Sequence, residues 1–311
     1  MNERRSATAF APASTANLAV GFDIIGHALT ELGDRVTASR IDEPGVRIIS
    51  SGGDALPHNP ARNTASVGVA AMLEALRPGF GIELSIEKGI PLGSGVGGSA
   101  ASAVAGVVAA NALLPEPLSI ERLLPYTLLG EAVASGGVHA DNVAPALLGG
   151  LLLVRSARDG DVVRLPVPPT LRCVIALPEL RIDTREARAV LPPAFPLSDI
   201  IQQCANLGAF VAALHSGDVP LIGRAMQDVL IEPHRAGLIP GFTEVRQAAF
   251  RTGALGCSIS GAGPAMFAWC EEERASPIRD AMVAGFGDAG VSARAWISGI
   301  DVPGARIEDG R

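Results

Sequence analysis

A glycine-rich segment, Pro91–Ser102 (PLGSGVGGSAAS), constrains the fold of this chain more than any other part of its sequence. It follows the alternating run Ile82–Ile86, which predicts a strand, and leads into the small residues of Ser99–Leu114, which predict a helix. Glycines in such a turn permit backbone angles and close approaches that side chains forbid. Free N–H groups at the helix start, together with the helix dipole, form a site for an anion such as phosphate. The alternative is a flexible turn in which Ser99 only caps the helix.

The same segment contains the pattern GxGxxG at Gly93, Gly95 and Gly98, which is also found in dinucleotide-binding folds. A Rossmann unit needs in addition a parallel βαβ unit and an acidic residue at the end of its second strand. The acidic residue downstream, Glu116, lies in a proline-rich turn. A nicotinamide-dependent oxidoreductase is therefore an alternative with weaker support.

The basic residues narrow the ways in which this chain can bind phosphate. Lys88 is the only lysine, the other basic residues being arginines, and no GxxxxGK[ST] string is present, which excludes a P-loop lysine. No motif assigns a role to Lys88. With a formal net charge of −7 and scattered arginines, the chain is not expected to bind nucleic acid. The 4 cysteines include no CxxC pair, so we expect reduced thiols rather than a zinc or redox motif.

The N-terminus, MNERRSATAF, lacks the apolar region of a secretory signal. The longest apolar stretches are interrupted by Gly, Ser and Pro, so none is expected to span a membrane. We therefore expect a cytoplasmic protein without a membrane partner.

Strands and helices are predicted in an irregular order, without strict βαβ alternation, which favours the α+β class over a doubly wound sheet. The proline-dense stretch 165–169 is the best candidate for a boundary between two domains, residues 1–165 and 166–311. Strands are predicted at Ala7–Phe10, Arg35–Ile41, Gly45–Ser50, Ile82–Ile86, Gly149–Arg155, Val162–Leu165, Arg172–Leu177, Cys257–Ile259, Ala265–Cys270 and Ala293–Ile297, and helices at Asn63–Leu76, Ser99–Leu114, Ile120–Ala134, Leu197–Leu214, Pro220–Leu230, Glu244–Thr252 and Arg274–Ala289.

Several polar residues lie in stretches that are too apolar for ordinary solvated loops. Asn17 and Asp23 flank a glycine-containing turn, where they either cap the backbone or contact a substrate. Glu131 lies among small and apolar residues, where a carboxylate needs a metal ion or a buried arginine as a partner. His139 and Asn142 are candidate ligands, substrate contacts or caps, and Asp141 is interpreted as a helix cap.

Two arginines, Arg188 and Arg235, lie in stretches that we predict to be short and irregular. Each can bind a carboxylate or phosphate through two N–H groups, although a surface arginine is the more common case. The segment Ser258–Pro264 (SISGAGP) separates two predicted strands, and its small residues allow close approach to a ligand or to the first glycine segment.

Taken together, these segments resemble the GHMP kinase superfamily and, within it, the homoserine kinase branch. The superfamily motif PxxxGLGSSAA is matched by PLGSGVGGSAA, with Val96 in place of leucine and Gly98 in place of the first serine. A second superfamily motif is similar to SISGAGPAMFA at Ser258–Ala268. The homoserine branch is similar to this chain in APASTANLAVGFDIIG, HADNVAPALLGG, DTREARAVLP and EPHRAGLIPGF.

The resemblance implies an α+β GHMP kinase fold. Its N-terminal ATP-binding domain resembles domain 2 of ribosomal protein S5, and its C-terminal domain is ferredoxin-like. It implies phosphorylation of the side-chain hydroxyl of L-homoserine by ATP with Mg²⁺, in threonine biosynthesis. Members of the family are usually homodimers, so we expect a homodimer.

The resemblance also implies a role for individual residues. For ATP it implies Asn63 in the adenine pocket and Pro91, Gly93, Ser94, Gly95, Val96, Gly97, Gly98, Ser99 and Ala100 at the phosphates. For Mg²⁺ it implies Ser99 and Glu131. For L-homoserine it implies Asn17, Asp23, His139, Thr184, Arg188, Arg235 and Gly261, with the arginines facing the carboxylate.

The catalytic group implied by the resemblance consists of Ser99, Glu131, Asn142 and Arg188. Asn142 stands where mevalonate-type relatives carry a catalytic aspartate, so we hypothesise that no conventional base acts and that the hydroxyl proton leaves late, toward the phosphate. Two further functions stay open. A sibling kinase would phosphorylate another alcohol, such as shikimate or mevalonate. A non-catalytic binding protein would be expected to have lost Ser99 and Glu131, and both are present.

Overall fold

The structure of the chain, a computed structural model, describes residues 4–50, 56–135, 137 and 139–308. Two β-sheets organise it. The first sheet has seven strands in the order β11-β1-β2-β4-β3, and β5 pairs with both β2 and β6. Among the described residues, β3 and β4 form the one parallel pair of this sheet, and its other pairs are antiparallel. Its strands are β1 (Ser6–Asn17), β2 (Gly21–Ile41), β3 (Val46–Ser50), β4 (Gly81–Glu87), β5 (Leu151–Ser156), β6 (Asp161–Leu165) and β11 (Arg306–Glu308).

The first sheet is covered by the helices α1 (Thr64–Leu76), α2 (Gly98–Asn111) and α4 (Ala140–Leu148). Helix α3 (Leu124–Ser135) packs on these three helices. In α2 every residue from Ala100 to Asn111 is buried. Small residues are required there, because a Cβ on Gly106 would lie 2.3 Å from the carbonyl oxygen of Ala65 in α1. This central helix begins at the glycine-rich segment, so its packing determines where that segment lies.

The second sheet is antiparallel and has four strands in the order β10-β7-β9-β8. Helices α9 and α10 pack together, and α10 packs on β7 and β10, around a second apolar core. These strands are β7 (Leu171–Pro178), β8 (Gly256–Ile259), β9 (Met266–Glu271) and β10 (Ala293–Ser298), and the helices of this half are α5 (Thr184–Ala189), α6 (Leu197–Ser216), α7 (Val219–Ala225), α8 (Glu232–Arg235), α9 (Phe242–Arg251) and α10 (Ala275–Asp288). Short 3₁₀ helices are formed by Pro60–Arg62, Ile120–Leu123, Ala236–Leu238 and Glu272–Arg274.

Buried side chains join the two sheets. Trp269 of β9 is fully buried, its ring centroid lies 5.6 Å from that of Phe210 in α6, and its indole N–H donates to Nε2 of His27 in β2 at 3.3 Å. His27 Nδ1 lies 2.7 Å from the carbonyl oxygen of Ala28. A carbonyl oxygen only accepts and an indole N–H only donates, so this imidazole is neutral with its proton on Nδ1.

The predicted α+β class is confirmed, and each predicted helix and strand has a counterpart. Three predictions of local structure were wrong. Arg188 lies in helix α5 and Arg235 ends helix α8, where irregular chain was expected. The predicted helix Pro220–Leu230 is shorter, because α7 ends at Ala225. The domain boundary at 165 stays a prediction; β11, from beyond it, pairs with β1 of the first sheet.

Helix α6 is an exception to the expectation that no apolar stretch is long enough to span a membrane. It has 20 residues, and an 18-residue window within it has a mean hydropathy of 1.2, so it is long and apolar enough to cross a membrane by length and composition alone. In the fold, α6 packs against α7 and places Phe210, Ala213 and Leu214 in the core. One helix of this kind is weak evidence for a membrane span.

Candidate active site

The glycine loop, which we define as residues 91–97, connects β4 to α2. Gly93, Gly95 and Gly97 have φ angles of +64°, +79° and +68°, and the residues between them do not have positive φ. When left-handed and right-handed backbone conformations alternate, successive N–H groups point to the same side and form an anion-binding concavity. The glycines are therefore required by the backbone conformation, as the sequence predicted.

Four consecutive carbonyl oxygens of the glycine loop accept hydrogen bonds from the surrounding protein. In chain order from residue 93 to residue 96, the donors are Ile182 N (3.2 Å), Ala265 N (3.1 Å), Ser260 Oγ (2.9 Å) and Ser14 N (3.2 Å). Because these bonds hold the carbonyl dipoles toward the protein, the N–H side of the loop faces the cavity. Three of the four donors belong to the second half of the chain.

Helix α2 begins directly after the glycine loop. Its N-cap is Gly97, and no side chain caps it. The first N–H groups of a helix have no partner within the helix, so this start presents donors and the positive end of the dipole. Ser99, in the first turn, is half-buried and lines the same cavity. The arrangement suits a phosphate chain.

Charged and polar side chains form a connected row on the opposite wall of the cavity. Nη2 of Arg188 donates to both carboxylate oxygens of Asp23, at 2.9 and 3.0 Å, and to Nε2 of His139 at 3.2 Å. Nδ1 of His139 lies 3.3 Å from Oε1 of Glu131, and this hydrogen bond raises the pKa of His139 above its ordinary value. The buried Glu131 is thus partnered by a histidine, where the sequence suggested a metal ion or an arginine.

Arg235 is buried beside this row. Its Nε donates to the carbonyl oxygen of Ala187 at 2.8 Å and its Nη1 to that of Gly261 at 3.1 Å. Burial, and then the charge of Arg188, lower its pKa. The guanidinium carbons of Arg188 and Arg235 lie 5.4 and 5.0 Å from the ring centroid of Phe22, so one aromatic ring supports both cations. Two neighbouring guanidiniums attract a carboxylate or phosphate.

The backbone beside this cation pair is unusual. Asn17, Leu18 and Ala19 have φ angles of +72°, +43° and +63°, and Asp23 has +62°. Such angles are rare for residues other than glycine and are found mostly at functional sites. The side chain of Asn17 stabilises the turn, since Nδ2 donates to the carbonyl oxygen of Gly261 at 2.8 Å and Oδ1 accepts from the N–H of Asp23 at 3.0 Å.

Asp141 and Asn142 lie between the glycine loop and the arginines. Asn142 Oδ1 accepts from the hydroxyl of Ser14 at 3.0 Å, and a Cβ on Gly97 would lie 3.0 Å from the same atom. Burial, and then the charge of Asp23, raise the pKa of Asp141 to about 7. The interpretation of Asp141 as a helix cap was wrong, because His139 is the N-cap of α4 and Asp141 lies inside its first turn, buried on the cavity wall.

One cavity of about 460 Å³ joins the glycine loop to the cation pair. This volume is typical of a site for small molecules. Most predicted site residues line it: Asn17, Asp23, Asn63, Pro91, Gly93, Ser94, Gly95, Gly97, Gly98, Ser99, Glu131, His139, Asn142, Thr184, Arg188, Arg235 and Gly261. The side chains of Val96 and Ala100 do not, because both are fully buried behind the loop.

Sequence reasoning missed several residues of the cavity. Lys88 and Arg181 line it although no motif marked them, and Asp141 was given another role. Phe22 was not predicted, because nothing in its apolar sequence segment indicates that its ring will contact two arginine side chains. An isolated carboxylate in a small-residue segment was the available signal for Asp141.

Two side chains of the cavity, Ser99 and Glu131, have the chemistry that a magnesium ion would need. In the part of the chain that the structure describes, no three His, Cys, Asp or Glu side chains form a metal cluster. Mg²⁺, however, is commonly held by one or two carboxylates together with substrate phosphates and water. Ser99 and Glu131 line the same cavity as the glycine loop and supply a hydroxyl and a carboxylate.

Comparisons with known proteins agree with this geometry. Residues 63–150 match the family model "GHMP kinases N terminal domain", and residues 210–288 match "GHMP kinases C terminal". A homoserine kinase of Xylella fastidiosa (strain 9a5c) is 48% identical over 304 residues, which are 97% of this chain and 94% of the relative. A homoserine kinase of Chloroherpeton thalassium is 43% identical over 317 residues, covering 97% and 99% of the two chains.

A solved structure is similar over nearly its whole length. The crystal structure of homoserine kinase from Cytophaga hutchinsonii superposes with a TM-score of 0.95 at 44% sequence identity, covering 99% of each chain. The similarity therefore includes both sheets and the cavity between them.

Proposed function

This chain belongs to the GHMP kinases, in their homoserine kinase branch, and we propose that it transfers the γ-phosphoryl group of ATP to the side-chain hydroxyl of L-homoserine. The product is O-phospho-L-homoserine. Family membership follows from the matched domain models and from the full-length relatives.

One observation supports the choice of substrate: the glycine loop and, on the opposite wall, two arginines beside an aspartate line the same cavity. The two arginines, Arg188 and Arg235, are complementary to an α-carboxylate, and Asp23 is complementary to an α-ammonium group. Mevalonate and shikimate carry a carboxylate but no ammonium group, so either of them would leave Asp23 without a cationic substrate partner.

For the nucleotide, we propose that the glycine loop and the start of α2 bind the phosphates and that Asn63 lies near the adenine. Asn63 is the N-cap of α1, where its Oδ1 accepts from the N–H of Ala65 at 3.0 Å, and it also lines the cavity. Ser99 and Glu131 would hold Mg²⁺. When bound with ATP, this ion supplies positive charge that offsets the charge of the phosphates.

For the chemical step, we propose in-line displacement. The substrate hydroxyl oxygen forms a bond to the γ-phosphorus while the bond from that phosphorus to the bridging oxygen breaks, and ADP leaves with the electron pair. Arg188 stabilises the developing charge, and Asn142 orients the hydroxyl. Because position 142 carries an amide, the hydroxyl proton leaves late, toward an oxygen of the transferred phosphoryl group.

The test is an ADP-release assay across L-homoserine, shikimate, mevalonate and L-threonine. We expect turnover with L-homoserine, and phosphorus NMR should show a phosphomonoester on its side chain. Turnover with a different alcohol, but not with homoserine, would retain the kinase and reject the substrate. A protein that binds ADP and phosphorylates none of the four would support the alternative of a ligand-binding member.

We further propose a homodimer formed through helix α6. Leu197, Ile200 and Ile201 project from one face of this helix at helical spacing, with 70%, 40% and 61% of their surfaces exposed. A second copy of the same helix would bury them. Light scattering should give twice the chain mass for the wild type and one chain mass for Ile201→Glu, whereas Ile49→Glu, a matched exposed isoleucine on β3, should remain dimeric. A monomeric wild type would contradict this proposal.

The biological setting that fits this activity is threonine biosynthesis in the cytoplasm. O-phospho-L-homoserine carries a phosphate leaving group on its side chain, and a following elimination and hydration would convert it into threonine. Accumulation of homoserine and a threonine requirement in a cell that lacks this chain would support the assignment.

A further inference from the structure

The only lysine of the sequence is buried at the base of the glycine loop. The ammonium group of Lys88 donates to Oδ2 of Asp34, to the carbonyl oxygen of Gly98 at 2.8 Å and to Oγ of Ser102 at 3.1 Å. An ammonium group has three N–H donors, and each of them has a partner here. Only 10% of the lysine side chain is exposed, on the side that lines the nucleotide cavity.

Asp34, at the other end of this ion pair, is fully buried in β2. Its Oδ1 accepts from the backbone N–H groups of Gly89 and Ile90, both at 3.1 Å, and its Oδ2 accepts from Ser102 Oγ at 2.7 Å and from Lys88. A carboxylate has about four lone-pair directions, so this one is saturated. A fully satisfied network of this kind is rigid and specifies one arrangement of its members.

The network joins the two ends of the glycine loop. Gly89 and Ile90 precede the loop and are bound to Asp34. Gly98 and Ser102 follow the loop and are bound to Lys88 and to Asp34, respectively. We infer that Lys88 and Asp34 are positioning residues that hold the two ends of the glycine loop at the separation required by the ATP phosphates. This inference rests on the proposed function only in assigning ATP as the ligand.

A fixed separation matters because loop N–H groups bind an anion well only when they are already oriented. Without the pair, the loop would have to be ordered each time a nucleotide binds. Arginine cannot replace the lysine, because a planar guanidinium does not point three donors at a carboxylate, a carbonyl and a hydroxyl. The position of Gly98 agrees with this, since a Cβ there would lie 3.4 Å from Nζ of Lys88 and 3.0 Å from Cγ2 of Ile90.

A buried ion pair can also serve stability alone, and the experiment has to separate the two roles. Removal of one partner leaves an isolated buried charge and is strongly destabilising. The informative variant is therefore the neutral double substitution Lys88→Met with Asp34→Asn. Its affinity for ADP is measured by calorimetry without homoserine, and its KM for homoserine is measured at saturating ATP.

We expect the double variant to fold, to bind ADP about tenfold more weakly or worse, and to keep its KM for homoserine within about twofold. The single variant Lys88→Arg, although it keeps the positive charge, should also bind ADP more weakly than the wild type. The matched control is Val107→Ala, a buried substitution on the same helix α2 and away from the loop. It should lower the melting temperature and leave ADP affinity unchanged.

If the double variant does not fold, Ser102→Ala provides the second test, since it removes one partner and keeps the ion pair. We expect ADP affinity to fall by about two- to tenfold. ADP affinity equal to that of the wild type, in either folded variant, would overturn the inference. Because ADP binding is measured without an acceptor, a wrong choice of homoserine as substrate would leave this result intact.

Discussion

The hydroxyl of Ser260 donates a 2.9 Å hydrogen bond to the carbonyl oxygen of Gly95, across 165 positions of sequence. Ser260 follows β8 of the second sheet, and Gly95 lies at the centre of the glycine loop on the first. The backbone of the glycine loop, which we propose to bind ATP, is thus oriented by the other half of the chain, which also carries Arg188 and Arg235.

Ser260→Ala tests this coupling. Without the hydroxyl, the Gly95 carbonyl loses its partner and the loop is less ordered before ATP binds. One such hydrogen bond contributes about 0.5–1.5 kcal/mol, so KM for ATP should rise by about two- to tenfold while KM for homoserine is unchanged. Steady-state kinetics measure both. Ser298→Ala, which removes a buried hydroxyl bound to the N–H of Thr30, is the control and should change neither constant.

The left-handed conformation of Gly95 leads to a second prediction. A Cβ at this position would lie 2.6 Å from the carbonyl oxygen of Gly263 and would also adopt an unfavourable φ of +79°. Gly79 has a nearly equal φ of +82° but open space around it. Both Gly→Ala variants should lose about 1 kcal/mol of unfolding free energy or more.

Only Gly95→Ala should also lose nucleotide affinity, by about tenfold or more, because the loop must move away from Gly263. Calorimetry with ADP and chemical denaturation measure the two effects separately. Equal ADP affinities for the two variants would mean that the loop tolerates displacement and that its close contact with the second half of the chain is incidental.

The glycine loop and α1 were predictable because their signals are local. The glycine loop is indicated by glycines between a strand pattern and a run of small residues. The start of α1 is indicated by Asn63, a favoured cap, followed by apolar residues at helical spacing. The cavity could be assembled from the sequence only through resemblance, since its walls come from four distant segments. Periodicity alone does not bring Asp23 to Arg188, which is 165 positions away.

The missed features share a physical reason. Helices α5 and α8 have six and four residues, too few for a periodic pattern, and tertiary contacts stabilise them. Strand β11 has three residues and pairs with β1 at the other end of the chain. Lys88 carries no motif, and its role follows only from the three partners that the fold assembles around its ammonium group.

Arg235 is expected to determine the affinity for the substrate carboxylate. Its hydrogen bonds to Ala187 and Gly261 fix the guanidinium, and Phe22 supports its plane. Arg235→Lys keeps the charge and loses the planar fork, so KM for homoserine should rise by about 10- to 100-fold with KM for ATP nearly unchanged. Arg246→Lys, at an arginine that stacks on Phe250 outside the cavity, is the control. A rise in KM for ATP alone would place the arginine on the nucleotide instead.

His27 should make the stability of the protein depend on pH. Burial lowers its pKa from 6.5 to about 4, and a proton on Nε2 would meet the N–H of Trp269. Since the folded pKa lies below the unfolded one, the unfolded chain binds more protons between the two values. The stability is therefore complete above about pH 6.5 and is lost as the pH falls toward 4.

From pH 7 to pH 5 this group should lower the unfolding free energy by about 2 kcal/mol. Urea denaturation of the wild type and of His27→Gln at both pH values gives the contribution as a difference, in which the opposite effect of Asp141 cancels. The glutamine variant should be less stable at pH 7 and have a flatter profile. Parallel profiles for the two proteins would mean that the pKa of His27 is the same in the folded and the unfolded chain.

Asn142→Asp tests whether the reaction needs a carboxylate base at the position next to Asp141. In this fold the new carboxylate would lie beside the buried Asp141 and within reach of the Ser14 hydroxyl that now donates to Asn142 Oδ1. A buried carboxylate and a half-buried one beside it raise each other's pKa, so one of them would be protonated near neutral pH. We expect lower stability, and a kcat that does not exceed the wild-type value.

The pH profile of kcat shows whether the hydroxyl proton leaves toward the transferred phosphoryl group or toward a carboxylate at residue 142. If the proton leaves toward the transferred phosphoryl group, as proposed, the aspartate variant has no new acidic limb in its profile. A large gain in kcat accompanied by such a limb would show that a base at residue 142 accelerates the reaction. Asn142→Ala separates orientation from acid–base chemistry: it removes the amide that orients the hydroxyl, so kcat should fall without any change in the shape of the pH profile.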